Sequence, residues 1–407
     1  MPSVPPILRH RNFNLYWLGV ILSQVGTRGA VAANLYQVYD LTGSTLLVGG
    51  VGAAQAVALL VLSPLGGVYA DRLDRRRLLQ VTQATAMLVA LGLALLTATG
   101  QVRPWHVFLS VLLTTAAATF DQPARQALIP AMVPREELPE AIALLNPSRE
   151  LAILVGPALA GLLIAASGPA AMYFVDAGTY AVLVVLLGLL RIPRLAPPEH
   201  RSILGSLRDG ARYVVHRPLI WQLMVLDLSA TVFGAYRVLL PAFALDVLDA
   251  GPRGYGLLAS APSAGALLGS VLVFKLVRSR RSGRILLAAT VAYGLCCVLF
   301  AQATVFWLAL AAALLLGLAD ALATTVRHAA VQLETPDELR GRVQGFYQMS
   351  SRGGPAIGDV NVGWLASLLG PVAALTAGGL VSVALGGWLL VRGGTVRDYE
   401  VTRPAVV

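Results

Sequence analysis

Long apolar blocks, broken by short clusters of charge, Gly and Pro, follow one another along nearly the whole chain. Crossing the hydrocarbon of a bilayer takes about 20 residues of helix. With turn signals and charged clusters as boundaries, the pattern predicts spans at 13–38, 45–70, 78–99, 104–124, 140–166, 169–190, 218–245, 255–277, 285–301, 304–326, 342–367 and 371–391. The expected fold is all-α and integral to a membrane, with twelve transmembrane helices. The opening MPSVPPILRHRNF has no apolar core followed by a cleavage site, so no cleavable leader is expected.

Composition agrees with the pattern. The chain is 57% hydrophobic and only 13% charged, against about 25% charged in a typical soluble domain. Too few charges remain to coat a water-facing surface, and no stretch is left for a large soluble domain. A net charge of +10 would suggest nucleic acid in a soluble protein, but its distribution says otherwise. Counting alternate gaps between spans, twenty-five of the 31 Lys and Arg fall on one side, Arg125 and Arg327 among them; the other side has Arg103 and Arg253. Basic residues stay cytoplasmic. Both termini are therefore expected in the cytoplasm of a bacterial inner membrane, with no nucleic-acid partner. Cys296 and Cys297 lie inside an apolar segment, where they read as small packing residues rather than a disulfide or metal pair.

The longest gap, RIPRLAPPEHRSILGSLRDGARYVVHRP, begins Pro-rich and ends in a basic amphipathic piece suited to the inner leaflet. It divides the chain into 1–190, a six-helix bundle; 191–217, a cytoplasmic linker; 218–391, a second six-helix bundle; and 392–407, a cytoplasmic tail. The halves echo each other. PARQALIPAMVPREEL at 123–138 matches TVRHAAVQLETPDEL at 325–339, and Arg125 to Arg327, Pro134 to Pro336 and Gly168-Pro169 to Gly370-Pro371 all share a spacing of 202 residues. Two parallel copies of six helices are the plan of one large transporter class.

One charged stretch, GGVYADRLDRRRLL at 66–79, then gains a meaning. Gly67, Ala70, Asp71, Arg72, Arg75, Arg76 and Leu79 resemble the loop between helices 2 and 3 of the major facilitator superfamily, roughly G-x-L-A-D-R-x-G-R-R-x-x-L, with Tyr69 in the Leu place and Asp74 in the second Gly place. The Asp-Arg-Arg-Arg ending, together with LRHRNFNLYWLG, VYDLTGS and PARQALIPAMVP, resembles the branch that includes the enterobactin exporter and related drug efflux proteins. The resemblance covers nearly the whole chain and implies two pseudo-symmetric six-helix bundles. It also implies that this loop latches the halves on the cytoplasmic side, with Asp121 as a partner for Arg75; the plainer reading is a set of positive-inside anchors. The equivalent loop of the second half, KLVRSRRSGR, has Arg278 where Asp71 would align, so the latch is one-sided.

In helix 5, AILVGPALAG at 152–161 resembles the antiporter signature of the superfamily through Gly156, Pro157 and Gly161; Gly358 and Gly363 repeat two of them 202 residues on. Small residues at this spacing also serve ordinary close packing. By the same resemblance helices 1, 4, 7 and 10 line the cavity. Their candidate substrate groups are Gln24, Arg28, Asn34, Thr231, Arg237 and Thr324, and Thr27-Arg28 stands where relatives often carry an acid. Charges inside hydrocarbon cost several kcal/mol and invite a functional reading. Asp320 and Asp227 lead the proton-coupling candidates, followed by Glu150, Asp176 and Asp359. Each acid has a second reading as half of a structural ion pair, such as Asp227 with Arg28 or Asp359 with Arg352. No phosphate-binding loop, nucleophile elbow or His/Cys metal cluster occurs, so neither catalysis nor a cofactor or metal is expected. The expected partners are a small-molecule substrate, protons and the lipid bilayer, acting on a monomer. The expected function is export of a small amphipathic molecule, a siderophore or drugs, by proton antiport with alternating access. The alternatives are nutrient import on the same fold and a lipid-handling or signalling role.

Overall fold

A computed structural model describes residues 6–72, 74–190, 211–276 and 281–400. Among these, twelve helices of 16 residues or more form and no strand does. They are α1 (Arg11–Thr42), α2 (Thr45–Arg72), α3 (Arg75–Ala98), α4 (Pro104–Leu128), α5 (Leu138–Ser167), α6 (Pro169–Leu189), α7 (Pro218–Phe233), α8 (Gly251–Leu276), α9 (Ser282–Ala301), α10 (Phe306–Leu333), α11 (Asp337–Leu369) and α12 (Pro371–Arg392). Among the described residues, 8 helical stretches are long and apolar enough to cross a membrane: α2, α3, α5, α6, α7 with its continuation to Val247, α9, α10 and α12. The linker at 191–210 lies outside the described residues.

Local chemistry sets the ends of these helices. Pro opens α4, α6, α7 and α12, where its missing N–H is one that no helix would bond. Gly168 and Gly370 take φ of 80° and 83°, a region costly for a side chain, and their N–H groups close α5 and α11 on Ile164 and Ala366. The repeated Gly-Pro pair is thus one turn used twice. Between α2 and α3, Asp74 replaces a glycine of the familial loop by acting as the N-cap, accepting from Arg77 N at 3.1 Å.

Two boundaries differ most from the sequence reading. The span read at 218–245 breaks at Gly234, and 3-10 and π turns carry the chain on to Val247. At the break the Gly234 carbonyl accepts from Tyr236 N at 2.8 Å and from Tyr293 Oη at 2.9 Å. Helix α10 runs seven residues past 326, because TVRHAAVQL contains no breaker before Pro336.

The chain divides into two compact units. The first holds residues 1–43, 54–200 and 251–260; the second holds 44–53, 201–250 and 261–407. The first turns of α2 therefore belong with the second unit, and those of α8 with the first, where a cut at the linker alone would have left them with their own halves. In the first unit α3 packs on α4 and α6, and α1 on α5 and α6. In the second, α9 packs on α10 and α12, and α7 on α11 and α12. The pairings repeat with every helix number raised by six.

Large apolar side chains cover the outside, including Leu60, Val185, Leu268 and Leu368, a surface no water-soluble chain presents. Trp105 and Trp307, 202 residues apart, are exposed in the first turns of α4 and α10, where an amphipathic ring suits the lipid–water boundary. Cys296 and Cys297 are buried free thiols of α9.

The tail after α12 turns back under the second unit. Gly283 N bonds Tyr399 O at 3.0 Å, and Val396, 2% exposed, joins Val214, Ile220 and Leu286 in one apolar cluster. Val396→Asp, which buries an unpaired charge, is expected to cost about 3 kcal/mol or more, against about 1 kcal/mol for Val396→Ala. Thermal unfolding in detergent measures both; equal melting of Val396→Asp and the unaltered protein would mean the tail is not docked.

Candidate functional site

Each unit buries an arginine at the position the repeat makes equivalent, Arg125 on α4 and Arg327 on α10, and each neutralises it differently. In the second unit Arg327 Nη2 lies 2.6 Å from Asp227 Oδ1 of α7, with both side chains 5% exposed. Its Nε donates to Tyr347 Oη of α11 at 3.0 Å, and Nη2 also donates to Thr324 Oγ1 at 3.0 Å. Thr324 in turn donates to Asp320 Oδ1 at 3.4 Å. One guanidinium thus ties α7, α10 and α11 together. Asp227 is buried under the pair, whereas Asp320, two helical turns before Arg327, is exposed at the far end of the cluster. Asp227 thus pairs with Arg327 of its own unit, where the sequence reading offered Arg28. Sequence counting had assigned Arg327 to a cytoplasmic gap; the extended α10 carries it into the bundle.

In the first unit the acid and the arginine share a helix. Arg125 Nε bonds Asp121 Oδ2 one turn away, and Oδ1 of Asp121 accepts from Gln83 Nε2 at 3.1 Å and Thr82 Oγ1 at 3.4 Å. Arg75, the partner expected for Asp121, starts α3 and takes no part in these bonds. Arg76 also works inside the first unit. It donates to the carbonyls of Leu190 at 2.7 Å and Gly188 at 2.5 Å, capping the C-terminus of α6 with positive charge. The side chains of Gly67, Asp71 and Arg72 lie outside the described residues.

From Asp121 a file of buried polar groups runs along α1, α3 and α6. Gln83 Oε1 accepts from Ser23 Oγ at 3.4 Å, and one turn along α1 Thr27 Oγ1 meets Tyr180 Oη at 2.8 Å. Asp176, one turn from Tyr180 on α6, is 4% exposed, and among the described residues its Oδ1 has no hydrogen-bond partner. It presses on the α1 backbone: a Cβ on Gly26 would lie 2.9 Å from that oxygen. Past Asp176, Tyr173 Oη donates to Gln37 Oε1 at 2.9 Å, and Gln37 Nε2 donates to Thr97 Oγ1 at 3.2 Å.

The glycines of the helix 5 signature have separate tasks. A Cβ on Gly156 would lie 2.8 Å from Gly29 N of α1, and one on Gly161 would lie 2.6 Å from Gly256 Cα of α8. Pro157 sits between them inside α5. Their copies behave alike in the second unit: a Cβ on Gly358 would run into Thr231 O of α7, and one on Gly363 would lie 2.9 Å from Gly49 Cα of α2. Any side chain at these four positions would force helices apart.

Asp359 on α11 pairs with Arg237 Nη2 at 2.7 Å, just after the break in α7. Arg352, the partner expected for it, has its side chain outside the described residues. Of the remaining candidates, Gln24 and Arg28 are half-buried one turn apart on α1, Asn34 is buried higher on it, and Glu150 is exposed on α5. Thr231 turns its hydroxyl back to Asp227 O at 2.9 Å. Sequence reasoning passed over Arg327, Tyr347, Gln83, Tyr180 and Gln37; the 202-residue match of Arg125 and Arg327 was the one available signal for the first of these.

The profile of a family described as "transmembrane secretion effector" matches residues 3–400. The chain is 30% identical over 402 residues to the enterobactin exporter EntS of Shigella boydii serotype 4 (strain Sb227), covering 98% of this chain and 95% of that one. It has the same identity and coverage against EntS of Escherichia coli strain K12. Among solved structures, the nucleoside transporter NupG superposes with a TM-score of 0.75 at 15% identity, over 96% of this chain and 100% of that one. A bacterial homolog of the human lysosomal transporter Spinster gives 0.72 at 15% identity, over 96% of both chains. At that identity the two structures speak for the fold alone.

Removing Arg327 while keeping Asp227 strands a charge in the bundle, so Arg327→Ala is expected to cost about 3–5 kcal/mol. Adding Asp227→Asn should return a good part of the loss. Thermal unfolding of the two variants checks this; a double variant no more stable than the single one would show that the pair is not what holds these helices.

Proposed function

The chain belongs to the major facilitator superfamily, in the branch of the enterobactin exporter, and on that premise we propose that this multi-pass membrane transporter exports a small amphipathic molecule in exchange for protons. The observation that carries the proton part is the cluster around Arg327. Asp227 already meets the arginine, and Asp320 joins the same cluster through Thr324 from an exposed position. A carboxyl so placed gains and loses a proton without unbalancing the core, while its charge still bears on three helices through Arg327.

Coupling then follows from linkage. A proton on Asp320 removes a negative charge from the cluster, and a cargo bound near it favours one protonation state over the other. The bias must run both ways, so cargo binding expels protons as protonation expels cargo. Two bundles, 1–190 and 218–391, rock around a central cargo site, spanning the bilayer twelve times with both termini in the cytoplasm; the bias of Lys and Arg to one set of gaps supports that orientation. Gly67, Asp71, Arg72 and Arg75 serve the cytoplasmic latch, and Gln24, Arg28 and Asn34 of α1 face the cargo. The protein acts as a monomer on a siderophore-like or drug-like cargo, a reading supported by the enterobactin exporters that resemble it.

In proteoliposomes with an imposed pH gradient, enterobactin and ethidium serve as probes. The unaltered protein is expected to drive at least one of them against its gradient. Asp320→Asn should retain downhill movement and lose the pH-driven component by about tenfold or more. Movement of both probes that ignores the pH gradient would end the antiport reading.

A further inference from the structure

Coupling through Asp320 leaves one buried acid of the first unit without a task. We propose that Asp176 is a second protonation station, loaded and emptied through the file of polar side chains that crosses the first unit. The inference rests on the antiport reading for its use of the proton, and on the geometry of the first unit for its location.

Three observations carry it. Asp176 is 4% exposed, and its Oδ1 finds no hydrogen-bond partner among the described residues. A buried polar atom left unsatisfied is costly, more so when charged, and calls for an explanation. Secondly, among the described residues no salt bridge joins a cation to Asp176. Its own α6 supplies Tyr173 and Tyr180, α1 supplies Gly26 and Thr27 with Arg28 next along it, and the ion pair Asp121–Arg125 lies beyond Gln83 and Ser23 in the file. Asp176 is thus not half of a structural pair, unlike Asp121, Asp227 and Asp359.

Thirdly, chains of hydroxyl and amide groups start about one turn from Asp176 on either side, at Tyr180 and Tyr173, and run toward both ends of the unit. Toward the N-terminal end of α1, Tyr180, Thr27, Ser23 and Gln83 step down to Asp121. Toward its C-terminal end, Tyr173, Gln37 and Thr97 reach the last turn of α3. Burying so many polar groups in hydrocarbon without use is costly. The contact of Asp176 with Gly26 shows how access is timed. Helix α1 lies on the carboxyl where it has no side chain, so a small shift of α1 along α6 uncovers or covers the acid. In each cycle the carboxylate takes a proton delivered from water at one end, becomes the neutral acid, and returns that proton to water at the other end when α1 has moved.

Infrared difference spectroscopy of the purified protein between two pH values tests the station without any cargo. The unaltered protein should show a carboxyl C=O band that responds to pH and is missing in Asp176→Asn but kept in Asp320→Asn. Tyr180→Phe, which breaks the step to Thr27, should keep the band and slow its response to a pH jump. In proteoliposomes Asp176→Asn should still move the probe with the pH gradient but at a lower proton-to-cargo ratio. An infrared difference spectrum unaltered by Asp176→Asn would overturn the station, and a lost band with an unchanged ratio would overturn its part in coupling. Gradient-independent transport by the unaltered protein would instead defeat the antiport reading, and the band would still decide the station.

Discussion

A guanidinium inside a lipid-embedded bundle must be neutralised, and the pairing of Arg327 with Asp227 is the interaction around which the second unit is arranged. It fixes where α7 meets α10, and Tyr347 brings in α11. It also sets the chemistry. Once Asp227 has met the arginine, Asp320 at the other end of the cluster is not needed to neutralise it, which is why the proposed coupling is assigned there. The first unit solves the same problem with an acid on the same helix as its arginine, so that no helix of that unit is tied to another by the pair itself. Two copies of one architecture have thus spent their equivalent arginines differently.

The repeat explains more than the arginines. The same helix pairs pack in both units, the same Gly-Pro turn starts α6 and α12, and the glycines of the helix 5 signature recur in α11 with the equivalent contacts. The close crossings at Gly161 with Gly256 and at Gly363 with Gly49 hold the starts of α8 and α2 in the opposite unit from the rest of those helices. Backbone contact at glycine allows such exchange, because it requires no interdigitated side chains to be pulled apart.

Much of this was legible in the sequence because apolar periodicity and turn residues are local signals. Helix boundaries fell within a few residues of their observed places where Pro or Gly marks them, as at Pro104, Pro169 and Pro371. They failed where the marker was ambiguous: Gly234 reads as one more small residue in a membrane helix, yet it ends α7, and nothing polar in TVRHAAVQL stops α10 before Pro336. That last miss misplaced Arg327. The acids Asp227, Asp320 and Asp176 were visible as charges in apolar runs, but which cation each meets depends on helix rotation, which periodicity alone leaves open. Gln83, Tyr180 and Gln37 gave no signal, since a lone amide or phenol in a hydrophobic stretch is unremarkable until a second one faces it.

The central claim is that cargo and a proton compete through the cluster holding Asp320. Titration calorimetry of the purified protein with enterobactin, run in two buffers of different ionisation enthalpy, counts the protons exchanged on binding. The account predicts that the unaltered protein releases protons as cargo binds and that Asp320→Asn releases measurably fewer while still binding. A proton count that is the same in both proteins would contradict it.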